Sequence, residues 1–195
     1  MQDGITLYCI RHGQTDWNAQ SRYQGQADIA INATGRRQAC RNGEALRTFL
    51  PDLAEARFVS SPSSRARETM RIIRETLGLA PDDFPTDERL LEVHYGAWQG
   101  QLLETLKATE AEALAARQAN PFRFRPPGGE SYADLLSRTC DWLETLESDT
   151  VVTTHGGFTR TLRVHLLDLD PNKILDLEVP QDRVLIIRNG EMSWA

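Results

Sequence analysis

Ile5-Thr6-Leu7-Tyr8-Cys9-Ile10 runs straight into Arg11-His12-Gly13-Gln14-Thr15, so an apolar stretch ends in a cation, an imidazole and a glycine. Residues 5–10 are nearly all apolar and rich in strand formers, the pattern of a strand covered on both faces, as in a parallel α/β sheet. Gly13 alone would supply a turn. Arg11 and His12 are therefore either punctuation or chemistry, and the rest of the chain decides which.

Downstream, a loop through Asn18, Gln24 and Gly25 leads to a helix expected to start near Thr34, with Ala39, Gly43, Leu46 and Leu50 at helical spacing and Pro51 closing it. A second strand is expected at residues 56–60. It feeds Ser61-Pro62 and a helix striped by Ala66, Met70, Ile73 and Leu77 and stopped by Gly78. After Pro81 and Pro85 the sequence predicts an extended piece at 89–92, a loop through Gly96 and Gly100, one helical segment over 102–118, and a Pro- and Gly-containing loop over 120–129. Ser131 with Asp134 reads as a capping pair for a helix carrying Leu135, Trp142 and Leu146. A third strand at 150–154 stops at His155-Gly156-Gly157, before a helix with Leu162, Leu166 and Leu169. Residues 183–188 and 191–194, joined by Asn189-Gly190, read as a hairpin on a type I′ turn.

Alternating strands and helices predict a mostly parallel α/β sheet whose antiparallel edge is the terminal hairpin. Ligands of such sheets sit beyond the carboxyl ends of the strands. Here those ends carry Arg11-His12-Gly13, Ser61-Pro62 leading to Arg65, and His155-Gly156-Gly157. Histidines and arginines gathered at one edge repel each other unless an anion sits among them. Phosphate is the natural occupant, met by the arginines, by the N–H groups of the glycine turns, by the helix start after Pro62 and by the Asn18 amide. A neutral His12 beside it is also a nucleophile, and a phosphohistidine route needs an acid for the leaving oxygen. Glu92, in Arg89-Leu90-Leu91-Glu92-Val93-His94-Tyr95-Gly96, is the candidate, with Glu130 beside Gly128-Gly129 competing. His94 and His165 read as structural.

The bulk numbers agree with this picture. A chain of 195 residues is enough for one domain with a core of its own, and 40% hydrophobic with 26% charged residues is ordinary for a soluble protein. No signal peptide or apolar span appears, so a soluble, cytoplasmic protein is expected. A net charge of −6 argues against nonspecific nucleic-acid binding but permits a small anionic substrate where cations converge. Cys9, Cys40 and Cys140 are odd in number and lie far apart without a CxxC pair, which argues against a disulfide framework and a thiolate zinc site and reads them as buried apolar fillers.

Leu7 to Asn18 resembles the signature of the histidine phosphatase superfamily in its phosphoglycerate mutase-like branch, and Ser60 to Thr69 resembles its second block. Glu92 to Gly96 and Thr154-His155-Gly156-Gly157 complete the set in family order, over nearly the whole chain. The resemblance implies a three-layer α/β/α sandwich, a single domain over 1–195 and a cap-like helical insertion at about 97–130. It implies that His12 is phosphorylated, that Arg11, Asn18, Arg65 and a protonated His155 hold the phosphoryl oxygens, and that Glu92 is proton donor and later base. Substrate contacts are expected from Arg22, Gln24, Gly25, Tyr95 and Gly156, with Arg125 and Glu130 in the roof. Neither a metal nor a cofactor is implied, and the partner is a small phosphorylated metabolite rather than nucleic acid or membrane.

Water as acceptor makes a phosphatase, a second substrate hydroxyl a mutase. Mutases of this family carry an arginine directly after the acid, a lysine further on and an adjacent arginine pair. This chain has Val93, Leu103 and scattered Arg117, Arg123 and Arg125 instead, while residues 125–131 look like the branch's small-molecule phosphatases, including those acting on sugar phosphates and α-ribazole phosphate. Phosphatase is the expectation; a cofactor-dependent phosphoglycerate mutase and a noncatalytic phosphate-binding module are the alternatives.

Overall fold

Except for Arg11 at its end, β1 (Thr6–Arg11) is buried throughout, as its composition requires. In the computed structural model, which describes residues 4–50 and 55–195, it is followed by α1 (Asp16–Ala19), α2 (Ala33–Phe49), β2 (Arg57–Ser60), α3 (Ser64–Leu77), α4 (Leu103–Thr109), α5 (Ala111–Ala119), α6 (Tyr132–Leu143), β3 (Thr150–Thr154), α7 (Gly156–Leu166), β4 (Leu185–Arg188) and β5 (Glu191–Trp194). The sheet order is β2-β3-β1-β4-β5. β2 and β1 pair parallel with β3, while β4 runs antiparallel to β1 and β5 antiparallel to β4.

Side chains alternate across each strand and so feed two cores. Tyr8, Ile10, Phe58 and Val151 face Leu46, Met70, Ile73 and Leu77 of α2 and α3. On the other side Leu7, Cys9, Val59 and Val152 join Leu135, Trp142, Phe158 and Leu162 of α6 and α7. Helices on both faces of one sheet make a three-layer α/β/α sandwich, mostly parallel with an antiparallel margin, as expected. The terminal hairpin turns through Asn189 at φ 51° and Gly190 at φ 76°, the two positive values a type I′ turn needs.

Five local expectations are corrected. The loop through Asn18 contains α1, because Thr15 and Asn18 form a reciprocal capping box. Residues 88–90 are a 3-10 turn rather than extended chain, since the Asp87 carboxylate accepts from the Arg89 N–H at 3.0 Å. The segment 102–118 is two helices that break at Glu110. Leu106 is the single fully buried residue of the two, so no continuous apolar stripe holds them straight. Leu169 lies beyond α7, which ends where Asp168 takes φ 50°. Cys9 is buried as expected, but Cys40 is exposed and Cys140 half-buried, Cys40 sitting just off the α2 face formed by Ala39, Gly43 and Leu46. Pro51, expected to close α2, lies outside the described residues.

Candidate active site

Strand register builds the site. Arg11 pairs with Thr154 and Ser60 with Thr153, so the residues after them, His12, His155 and Ser61, leave the sheet side by side. The ladder continues one step beyond each strand, with His12 N–H donating to the Thr154 carbonyl and Ser61 N–H to the Thr153 carbonyl, both at 2.9 Å. The His12 and His155 rings lie edge to face with centroids 5.2 Å apart. Gly13 turns the chain directly against α2: a Cβ there would sit 2.4 Å from the Gly35 carbonyl oxygen. Gly13 is thus a close-approach residue, and Arg11 and His12 are free to face the pocket.

His12 Nδ1 lies 2.8 Å from the Gly13 carbonyl, which can only accept, so Nδ1 carries the hydrogen and Nε2 keeps its lone pair. Burial, Arg65 and Arg11 together hold the His12 pKa well below the usual imidazole value, so the ring is neutral at pH 7. Beside it, Asn18 Oδ1 accepts from Thr15 N–H at 3.1 Å and from Gln181 Nε2 at 3.0 Å, which leaves the Nδ2 donors to the pocket. Gln181 Nε2 also donates to the His12 carbonyl at 3.0 Å.

Arg65, delivered by the first turn of α3, is 1% exposed and every donor of its guanidinium is engaged. With the Gln24 amide turned so that its nitrogen donates to Thr15 Oγ1, Gln24 Oε1 accepts from Arg65 Nε at 2.7 Å and Nη1 at 3.0 Å. Nη1 also donates to the Ala27 carbonyl, and Nη2 to the Gly25 carbonyl and to His155 Nδ1, the last at 3.2 Å. Because a guanidinium cannot accept, His155 Nδ1 is the acceptor and its Nε2–H donates to Ser61 Oγ at 2.8 Å. His155 is therefore neutral here, against the expected imidazolium: burial, then Arg65 and His12, push its pKa well down. Burial also lowers Arg65 to about 10, opposed by Glu92 and Asp28, which leaves it cationic at neutral pH.

His12, Asn18, Gln24 and Arg65 line a pocket of about 220 Å³ with Arg11, Arg22, Arg160, Glu92, Tyr23, Tyr95, Leu103, Gly25 and Gly156, and His155 is fully buried behind His12 and Arg65. Arg11 Nη1 is held by the Val179 carbonyl at 2.9 Å, while its buried Nε has no partner among the described residues. Arg22 donates to the Gly100 carbonyl and lies over the Trp17 ring. Arg160 is anchored by Nε to the Leu177 carbonyl at 2.8 Å. Four guanidiniums face one carboxylate, that of Glu92.

The Glu92 carboxyl is held by backbone: Oε1 accepts from Val93 N–H at 2.9 Å and Oε2 from Gly157 N–H at 3.0 Å. Arg138 of α6 fixes the segment beneath it through the carbonyls of Arg89, Leu91 and Glu92. Glu130, the competing acid, is absorbed in that support, accepting from Arg138 at 3.0 Å and from His94 N–H at 2.8 Å. Neither Glu130 nor Arg125 reaches the pocket, the latter being paired with Asp134 at the surface, so both roof expectations are corrected. Gln24 lines the pocket, but its amide is spent on Arg65 and Thr15. His94 accepts from Gly96 N–H and His165 is exposed, neither lining the pocket. Among the described residues no group of histidine, cysteine and carboxylate side chains is placed to hold a metal.

Sequence reasoning missed Arg160, Tyr23, Ser61 and Gln181 as parts of the site. Arg160 was legible, since it stands one helical turn after Gly156 and so faces the same way. Gln181 was not, because nothing in a C-terminal coil signals that its side chain meets His12 and Asn18.

A family model of the histidine phosphatase superfamily (branch 1) matches residues 7–195. The chain is 36% identical over 178 residues to glucosyl-3-phosphoglycerate phosphatase of Mycobacterium tuberculosis (strain ATCC 25618 / H37Rv), covering 84% of this chain and 75% of that protein. It is 33% identical over 191 residues to 2,3-bisphosphoglycerate-dependent phosphoglycerate mutase of Afipia carboxidovorans, covering 93% and 90%. A solved structure of mycobacterial glucosyl-3-phosphoglycerate phosphatase with VO3 superposes with TM-score 0.81 at 28% identity, over 98% of this chain and 97% of that one.

Proposed function

The chain belongs to the histidine phosphatase superfamily, branch 1, and from that premise we propose that it is a metal-independent phosphatase of a small phosphorylated metabolite, working through phosphorylated His12. The observation that carries this is the His12 tautomer: Nδ1 is tied to the Gly13 carbonyl, which leaves the Nε2 lone pair free on a ring that lines the pocket with Arg11 and Arg65 and lies edge to face with His155. Nε2 attacks phosphorus while the P–O ester bond breaks, and the leaving oxygen takes a proton from the Glu92 carboxyl. Glu92 then takes a proton from water, whose oxygen attacks phosphorus as the P–N bond breaks and its electron pair returns to Nε2. Asn18 Nδ2 and Arg11 Nε supply donors to the phosphoryl oxygens.

The Arg65–His155 contact explains how a neutral His155 serves an anion. A phosphoryl oxygen takes over the Arg65 Nη2–H that His155 Nδ1 accepts in the free site, and the charge of the dianion favours uptake of a proton from solvent at the freed Nδ1. Charge is thus met by guanidiniums and one imidazolium.

Residues 1–195 act as one catalytic domain in this reading, with 97–130 as cap. Leu103 lines the pocket, Arg117 donates to the Tyr23 hydroxyl at 3.0 Å and the Gly100 carbonyl receives Arg22, so the cap is tied to the pocket wall. No described helix is long and apolar enough to cross a membrane, and three free thiols support a cytoplasmic setting.

Hydrolysis is favoured over the mutase reaction by what occupies the expected cation positions. Val93 is core, Leu103 is apolar at the pocket wall, Arg123 is exposed and Arg125 is paired elsewhere. A pulse of labelled phosphomonoester in chelator, quenched in alkali, places label on His12 and none on His12→Ala. An active enzyme without trapped label, or 3-phosphoglycerate conversion with a bisphosphoglycerate primer outrunning hydrolysis, overturns the proposal.

A further inference from the structure

Among the described residues Glu92 has no side-chain hydrogen-bond partner; its carboxyl is located by two N–H groups, and one belongs to the second residue of α7. At that residue, Gly157, an added Cβ would lie 2.2 Å from Glu92 Oε1, 3.1 Å from Glu92 Cδ and 3.2 Å from Val93 Cγ1. Among the atoms met, only the carboxyl group is the free end of a flexible side chain. Gly157 does not occupy the left-handed region, so no backbone reason demands glycine in a helical position where alanine is the better helix former. The missing side chain is explained by the space the carboxyl takes.

We propose that Gly157 is the positioning residue for the Glu92 carboxyl, holding it by its N–H and by the absence of a Cβ. This rests on the assignment of Glu92 as general acid and base made above. In Gly157→Ala the helix and core stay, and the carboxyl swings away from the leaving oxygen. The deficit is then selective. A substrate whose leaving oxygen needs a proton, such as an alkyl phosphate, suffers, while one that leaves as a stable anion, such as 2,4-dinitrophenyl phosphate, still phosphorylates His12.

The test measures first-turnover product release for both esters in the wild type, Gly157→Ala, Glu92→Ala and the double variant, with thermal midpoint and vanadate affinity alongside. For Gly157→Ala the alkyl ester slows by about 100-fold or more and the dinitrophenyl ester by less than about threefold, with midpoint and vanadate affinity kept. The double variant is no slower than Glu92→Ala, because both changes remove one interaction. If Glu92→Ala shows the leaving-group selectivity and Gly157→Ala behaves like wild type, the positioning role is overturned. Additive losses, or an unfolded Gly157→Ala, overturn it as well, since the backbone or core and not the carboxyl would then have yielded. If Glu92→Ala itself treats both esters alike, the acid assignment fails first and the positioning role falls with it.

Discussion

Two imidazoles meet at the centre of the site, and each has one nitrogen fixed by a partner whose chemistry allows a single role: a carbonyl for His12 Nδ1, a guanidinium for His155 Nδ1. Both rings are buried and neutral in the native state, facing Arg65 and Arg11, with Arg138 also acting on His155. Their native pKa values lie below the ordinary 6.5, so beneath that pH the unfolded chain binds more protons than the folded one and stability falls as pH falls. Between about pH 7.5 and 5.5 both rings contribute to this loss, because each binds a proton in the unfolded chain and not in the folded one. Urea midpoints across this range should show it, and His12→Gln should remove about half of the slope. An unchanged slope would place the titration elsewhere. The thiol of Cys9 is silent in the same window, because burial raises its pKa to about 12.

At the scale of elements, what was legible in the sequence was what local chemistry settles. Ser131 and Asp134 form the expected capping box, with Asp134 N–H donating to Ser131 Oγ at 3.2 Å and Ser131 N–H to Asp134 Oδ2 at 2.7 Å. Ser131→Ala should cost about 1 kcal/mol in chemical denaturation without altering kcat, since the box touches no pocket residue; a changed kcat would mean that α6 transmits its cap to Glu92 through Arg138. Gly78, at φ 80°, stops α3 for an equally local reason. The break at Glu110 and the short α1 were not legible, because apolar spacing marks which face is buried and not where weakly packed helices part. The C-terminal coil was the most opaque element: Val179 holds Arg11 and Gln181 holds both His12 and Asn18, contacts between residues far apart in the chain.

Across the whole molecule, a net charge of −6 surrounds a pocket with four arginines and one glutamate. Screening separates the two effects, since the local field acts within about a Debye length of 8–10 Å and the pocket cations lie inside it. For a dianionic substrate kcat/KM should fall as salt rises from about 10 mM to about 0.3 M; a rise would mean that global repulsion governs encounter. By itself the sequence determined the alternation of strands and helices and the carboxyl-end position of Arg11, His12, Arg65 and His155, and it marked Glu92 as a candidate acid beside Glu130, because periodicity and motif spacing are properties of neighbouring residues. Only the tertiary structure decided that Glu130 supports Arg138, that Gln24 serves Arg65, that His155 is neutral and that Gly157 makes room for Glu92. Each of those depends on distances between segments remote in sequence, and such distances exist only once strand register and packing have brought the segments together.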